Sequence, residues 1–300
     1  MKRILIAGGA GFLGSHLTQK LLSMGHQVYC LDNFSTGSQT NVWADNQLKL
    51  ITHNIQEPLD LEVDEIYNLA SPASPKRYQL EPTDTIRSNI LGAVNLLELA
   101  KKYNARILQT STAEVYGSVN FEPNRNVFNP RHCYLGGKQA VETLFFSYNS
   151  QHQVRIKVAR LFNTYGPNLQ VTDGRAIVNF IVQAIRNQDI TINGNGEQYR
   201  NFCYAEDTVN ALIGLMDTTD DFTTPVDVGN PETVTIRQLA ERIVALTNSA
   251  SSVKLTGTPV VEPTQPVPNL SLIKSVTGWE PAINLDRGLQ NTIEYFKQIL

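Results

Sequence analysis

Tyr134 and Lys138 stand four residues apart, a spacing that puts both side chains on one face of a helix. A phenol ordinarily loses its proton near pH 10, and an adjacent ammonium favours the phenolate, so the pair has the makings of a base near neutrality. Upstream, Ser111-Thr112-Ala113-Glu114-Val115-Tyr116-Gly117 follows a β-branched run. A hydroxyl held between Thr112 and Tyr134 could give its proton to Tyr134 while hydride leaves the same carbon, which is alcohol oxidation. On spacing alone a surface Tyr–Lys pair remains the plainer reading.

Such an oxidation needs a hydride acceptor, and the chain opens with a place for one. Gly8-Gly9-Ala10-Gly11-Phe12-Leu13-Gly14 follows a short apolar strand and starts a helix. Gly8 and Gly11 allow a tight turn and close approach of a pyrophosphate to free helix N–H groups, and Gly14 allows close packing on the sheet. Asp32 closes the second strand where a carboxylate accepts ribose hydroxyls, which favours NAD over a cofactor with a 2′-phosphate. A turn or capping role for Asp32 stays open. Candidate cofactor contacts are Gly8, Gly11, Phe12, Leu13, Gly14, Asp32, Asn33, Leu69, Tyr134 and Lys138.

The elements that must carry these residues follow from periodicity. Short β-branched runs at Arg3–Ala7, Gln27–Leu31, Lys49–Thr52, Glu65–Ala70, Arg106–Thr110 and Arg155–Arg160 alternate with helical stretches at Gly11–Met24, Thr83–Tyr103 and Tyr134–His152. Leu17, Leu21 and Leu22 make an apolar stripe on the first of these helices. The pattern predicts an α/β fold: a Rossmann-type doubly wound parallel sheet with a smaller mixed C-terminal substrate lobe. We divide it into an NAD-binding domain over 1–165 and a substrate lobe over 166–300, where prolines and glycines from Pro167 to Pro259, Pro263 and Pro268 shorten the pieces. Residues 202–217, helical in period, are expected to return to the first domain.

Composition narrows the function. A net charge of −3 leaves no basic surplus for nucleic acid or an anionic membrane, so a small-molecule substrate is the better default. No apolar run approaches the roughly 20 residues that span a bilayer, and no secretory leader is read. Cys30, Cys133 and Cys203 have no metal-ligand spacing and their number is odd, which fits a reducing, cytoplasmic setting and no metal.

Together these residues resemble the extended short-chain dehydrogenases/reductases that remodel nucleotide sugars, and among them the UDP-glucuronate decarboxylases (UDP-xylose synthases). The resemblance covers almost the whole chain. Its most specific pieces are Leu69-Ala-Ser-Pro-Ala-Ser-Pro75, Arg160-Leu-Phe-Asn163-Thr-Tyr-Gly-Pro167, Asp173-Gly-Arg175 with Asn179-Phe180, Gly196-Glu-Gln-Tyr-Arg200-Asn-Phe202 and Gly278-Trp-Glu-Pro281. It implies oxidation at C4 of UDP-glucuronate, loss of CO2 from the β-keto acid, and return of hydride to give UDP-xylose with NAD regenerated. Catalytic residues would be Tyr134, Lys138, Thr112, Glu114, which handles protons beside C5, and Arg200. Substrate contacts would be Ser71, Tyr78, Asn163, Arg175, Asn179 and Arg200. The resemblance also implies a homodimer in which Thr83–Tyr103 and Tyr134–His152 pair with their copies in a four-helix contact. For Glu114 a solvated turn, for Arg200 a free surface and for Asn163 a tight turn are the plainer alternatives.

Departures from the family pattern bear on the substrate. Ala113 replaces a serine, Leu135 and Gly136 replace an Asp-Glu pair, Pro266 replaces a phosphate-gripping arginine, Asn269 replaces an aspartate, and Asn168 stands where a cation is common. Gly136 and Gly137 at a helix start would each cost about 1 kcal/mol relative to Ala. Ala113 disfavours a 4,6-dehydratase, which needs an acid there. A nucleotide-sugar 4-epimerase, needing only Tyr134, Lys138, Thr112 and NAD, is the enzyme alternative, and a catalytically silent NAD-binding or sensing protein is the alternative of another class.

Overall fold

The computed structural model describes residues 1–117, 132–257 and 266–300. Pro259 and Pro263, two of the expected chain breakers, lie outside the described residues. Strand β1 (Arg3–Ala7) leads into α1 (Phe12–Ser23), and β2 (Gln27–Asp32), β3 (Leu48–Thr52) and β4 (Glu65–Asn68) follow. Helices α2 (Pro75–Leu80) and α3 (Pro82–Tyr103) precede β5 (Arg106–Thr112), and α4 (His132–His152) precedes β6 (Arg155–Leu161). Beyond β7 (Thr164–Tyr165) come α5 (Ala176–Ile185), β8 (Ile190–Ile192), β9 (Tyr199–Asn201), β10 (Cys203–Tyr204) and α6 (Ala205–Met216). The chain ends with β11 (Val226–Val228), β12 (Thr233–Thr235), α7 (Ile236–Thr247), β13 (Val253–Leu255), α8 (Ser271–Thr277) and α9 (Leu285–Ile299).

Seven strands form one parallel sheet in the order β11-β6-β5-β4-β1-β2-β3. This is the doubly wound α/β arrangement, with the strand order reversing between β1 and β4 and a crevice opening beyond the strand ends there. Helices cover both faces, which is why β1 reads as the unbroken apolar run Ile4-Leu5-Ile6-Ala7, all fully buried. On one face Leu96 and Leu97 of α3 meet Val141 and Phe145 of α4 over the sheet. On the other, Leu17 and Leu21 of α1 pack with Val209, Leu212 and Leu215 of α6, and Leu22 is only partly buried at the rim. Each such leucine contributes roughly 1.5–3 kcal/mol by leaving water.

A further hydrophobic core lies in the C-terminal part of the chain, where α5, α7 and α9 enclose Ile181, Leu239, Ile243 and Phe296. A capping box starts α7: Thr235 Oγ1 accepts from the Gln238 N–H, and the Gln238 side chain accepts from the Thr235 N–H. Helix α6 packs against α1, and β11 adds a seventh strand beside β6. Sequence periodicity missed β11 because three residues are too few to show a period. The fourth strand ends at Asn68 rather than Ala70, although the Leu69 N–H still donates to the Ala7 carbonyl.

Candidate active site

At the crevice, the glycine loop is shaped by contacts that only glycine tolerates. Gly8 lies in the left-handed region at φ 80°, and a Cβ there would stand 2.9 Å from the Ala70 nitrogen. A Cβ on Gly14 would collide with the Gly8 carbonyl, so Gly14 packs against the loop itself rather than on the sheet as the sequence reading expected. Asp32, buried at the end of β2, accepts from the Ala10 N–H at 3.1 Å and the Phe34 N–H at 2.9 Å. Burial raises its pKa while these amides pull it down. A carboxylate has about four acceptor positions, so the backbone amides of Ala10, Asn33 and Phe34 still leave room for a ribose hydroxyl. Asp32 thus serves the turn and still suits a nucleotide.

Further along the crevice Thr112, Tyr134 and Lys138 come together. Lys138, 3% exposed, donates through Nζ to the Thr110 carbonyl at 2.8 Å, which ties α4 to β5. Its Nζ lies 5.7 Å from the centre of the Tyr134 ring, and Tyr78 of α2 stacks on that ring at 5.3 Å and 10°. The Thr112 hydroxyl, which accepts from the Glu114 N–H at 3.3 Å, lies close enough to the Tyr134 phenol to favour its ionised form. Burial pushes that phenol well above its usual range, Glu114 adds to the rise, and Arg175 and Thr112 oppose it. Burial also lowers the Lys138 ammonium to about 7. The expectation that Lys138 alone keeps the phenol ionised therefore fails for the chain by itself: desolvation disfavours both charges.

One cleft of about 1010 Å³ is lined by every candidate residue named from sequence, from Gly8, Gly11, Phe12, Leu13, Gly14, Asp32, Asn33 and Leu69 to Ser71, Tyr78, Thr112, Glu114, Tyr134, Lys138, Asn163, Arg175, Asn179 and Arg200. Several are also held by the chain. Asn163 donates to the Asn201 carbonyl at 3.1 Å, Asn179 to the Gly174 carbonyl at 3.1 Å, and Arg175 pairs with Asp173 at 2.9 Å. Arg200 donates to the Tyr199 carbonyl at 2.8 Å.

The departures also find places. Ala113, Leu135, Asn168 and Pro266 line the cleft. Asn168, at φ 67°, donates to the Ser15 hydroxyl of α1 at 3.0 Å. The Asn269 side chain accepts from the Ser271 N–H at 3.1 Å at the start of α8. Gly137 and Gly136 lie past the first turn of α4, not at its start. A Cβ on Gly137 would come within 3.2 Å of the Asn89 Cβ on α3, whereas one on Gly136 would meet nothing.

Comparison with known proteins decides what this geometry belongs to. A family model described as the NAD dependent epimerase/dehydratase family matches residues 4–229. The chain belongs to the NAD dependent epimerase/dehydratase family. Its cofactor is accordingly NAD, in keeping with the glycine loop and Asp32. The chain is 43% identical to UDP-glucuronic acid decarboxylase 1 of Xenopus tropicalis, over 100% of this chain and 73% of that protein. It is 44% identical to UDP-glucuronic acid decarboxylase 3 of Arabidopsis thaliana, over 98% of this chain and 89% of the other. A UDP-glucose 4-epimerase of Thermotoga maritima, solved with UDP-glucose, superposes with a TM-score of 0.88 at 26% identity, covering 99% of each chain. The fold also matches a mutant UDP-glucuronic acid 4-epimerase from Bacillus cereus, with a TM-score of 0.88 at 24% identity over 99% of this chain and 100% of that one.

As a member of this epimerase/dehydratase family the chain shows site residues that sequence reasoning passed over. Ser111 Oγ is buried at the cleft wall with no hydrogen-bond partner among the described residues, like the Oγ of Ser71, which was already a candidate from sequence. Such donors are costly to leave unpaired and fit a ligand rich in hydroxyls and amides. Lys76 and Arg77, at the start of α2, bring two cations to the cleft. Their signal was present in Pro75-Lys76-Arg77, a proline that can open a helix followed by paired charges. Among the described residues no group of three or more His, Cys, Asp or Glu side chains could hold a metal, and no helix is long and apolar enough to cross a membrane.

Proposed function

We propose that this chain converts UDP-glucuronate to UDP-xylose and CO2; its 40–44% identical relatives are named UDP-glucuronic acid decarboxylases. The observation that supports the reading is that Thr112, Glu114, Tyr134 and Lys138 line one cleft together with the glycine loop. Thr112 and Tyr134 hold the C4 hydroxyl of the sugar, and Tyr134 takes its proton. The glycine loop and Asp32 would hold NAD, which would supply the hydride acceptor for C4 and the hydride donor that closes the cycle, while Tyr134 carries the proton. Once C4 is a ketone, the electrons left at C5 by departing CO2 delocalise onto the C4 oxygen, where Thr112 and Tyr134 stabilise them. Glu114 then handles the proton at C5. Arg200, Arg175, Asn163, Asn179, Tyr78 and Ser71 bind the nucleotide sugar, and Lys76 and Arg77 supply charge near the diphosphate that Pro266 cannot.

The same reading divides the chain into an NAD-binding unit over 1–165, rejoined by 202–217, and a substrate lobe over 166–300. It also takes the protein to be a cytoplasmic homodimer. Three free cysteines suit a reducing compartment, and the adjacent helices α3 and α4 leave Ile86 and Leu91 exposed for a helical contact with a second copy. Incubation with UDP-glucuronate and NAD, followed by mass spectrometry, is expected to give UDP-xylose and CO2 with no net NADH. UDP-galacturonate as sole product would make the chain a 4-epimerase. Retained NAD binding with no turnover of any nucleotide sugar would make it a silent binder.

A further inference from the structure

Behind the reacting groups runs an ion pair that the proposed chemistry does not use. Tyr134, Lys138 and Glu142 are spaced i, i+4, i+8 on α4 and share one face. Glu142, 8% exposed, is gripped by Arg160 of β6 through two bonds, Nε to Oε1 at 3.0 Å and Nη2 to Oε2 at 2.6 Å. The guanidinium lies 4.8 Å over the Tyr116 ring, and the Tyr116 hydroxyl donates to Asp227 of β11 at 2.6 Å. The other Asp227 oxygen accepts from the Asn269 N–H at 2.9 Å. The carboxylate is thereby fixed from the sheet side, in a bidentate geometry that a surface pair rarely holds.

We propose that Glu142 and Arg160 are positioning residues: the Glu142 carboxylate keeps the buried Lys138 charged, and Arg160 fixes that carboxylate and tempers its field. The proposal rests on reading Tyr134 and Lys138 as the proton-handling pair. Lys138 is desolvated by its surroundings, and Glu142 is the acidic group that opposes this loss of charge. Groups on the other packed elements are differently aimed. Glu114 at the end of β5, Arg175 from the C-terminal lobe and Tyr78 of α2 act on the Tyr134 phenol. Helix α3 presents the neutral Asn89 to Gly137, and β5 presents the Thr110 carbonyl to Lys138 itself. A charge one helical turn away, acting through an effective dielectric near 20, is worth about one pH unit or more.

The test needs no turnover. In protein labelled with [ε-13C]lysine, the Lys138 resonance is assigned by its absence from Lys138→Met and titrated by NMR. Wild type should show a midpoint far below that of the exposed lysines. Glu142→Gln should lower it by about one pH unit further, Arg160→Gln should raise it by less, and Arg160→Lys should leave it within about 0.3 units. Opposite shifts from the two halves of one ion pair are not what a purely structural bond would give. An unmoved midpoint in Glu142→Gln, or shifts of one sign in both Gln variants, overturns the proposal. If Glu142→Gln fails to fold, the contrast between Arg160→Gln and Arg160→Lys decides, and equal midpoints overturn it. Absence of CO2 release from UDP-glucuronate by wild type would instead count against the proposed function alone, since the titration is read without substrate.

Discussion

A tyrosine and a lysine on one helix face are cheap to encode, and their work depends on what burial does to each. Tyr134→Phe keeps the ring against Tyr78 but removes the proton carrier, so turnover should fall by about 10²–10⁴-fold while NAD binding, followed by fluorescence quenching, stays within a few-fold. The pH profile is set by Lys138. With its pKa lowered to about 7, the ammonium is present below that pH and lost above it, so kcat/KM should decline as pH rises through about 7. Stability runs the other way. The unfolded chain holds this proton up to the ordinary lysine value near 10.5, so between about 7 and 10.5 unfolding takes up a proton and the Lys138 contribution to stability rises with pH. Measured side by side, activity and denaturation midpoints should show this divergence in wild type and lose it in Lys138→Met.

Helix α4 carries the reacting pair, and its two glycines behave differently for a packing reason. Gly137 lies where α3 passes close to α4, and Gly136 faces open space. Gly136→Ala should stabilise the protein by about 1 kcal/mol through helix propensity, whereas Gly137→Ala should destabilise it by pressing on Asn89. Chemical denaturation should show the midpoints moving in opposite directions at constant slope. Much of this element was legible from its period and from the Tyr–Lys spacing. What the period could not show is that the helix is already formed at His132, two residues before Tyr134, which puts both glycines past the first turn.

Across the whole molecule, the segment 167–173 is tied to earlier parts of the chain by short polar bonds: Asn168 to Ser15, His16 to the Pro167 carbonyl, Ser74 to the Asp173 carbonyl, and Gln170 to the Thr36 carbonyl. Residues distant in sequence, such as Tyr78 and Arg175, thereby line the same cleft. The outer faces of α3 and α4 make the proposed contact between copies. Light scattering should return twice the 33.4 kDa chain mass, and charged residues at Ile86 and Leu91 should shift it to the monomer value.

Local, periodic features were readable from sequence alone: alternation of strands and helices, the glycine loop with Asp32, and Tyr134 four residues before Lys138. Each is written within a few turns of chain, where spacing dictates geometry. Tertiary structure alone decided the placing of β11 beside β6, the reach of Ser111, Lys76 and Arg77 into the cleft, and the clasp of Arg160 on Glu142. It also decided that Tyr134 and Lys138 are both driven toward neutrality, because desolvation belongs to the packed assembly and not to any spacing along the chain.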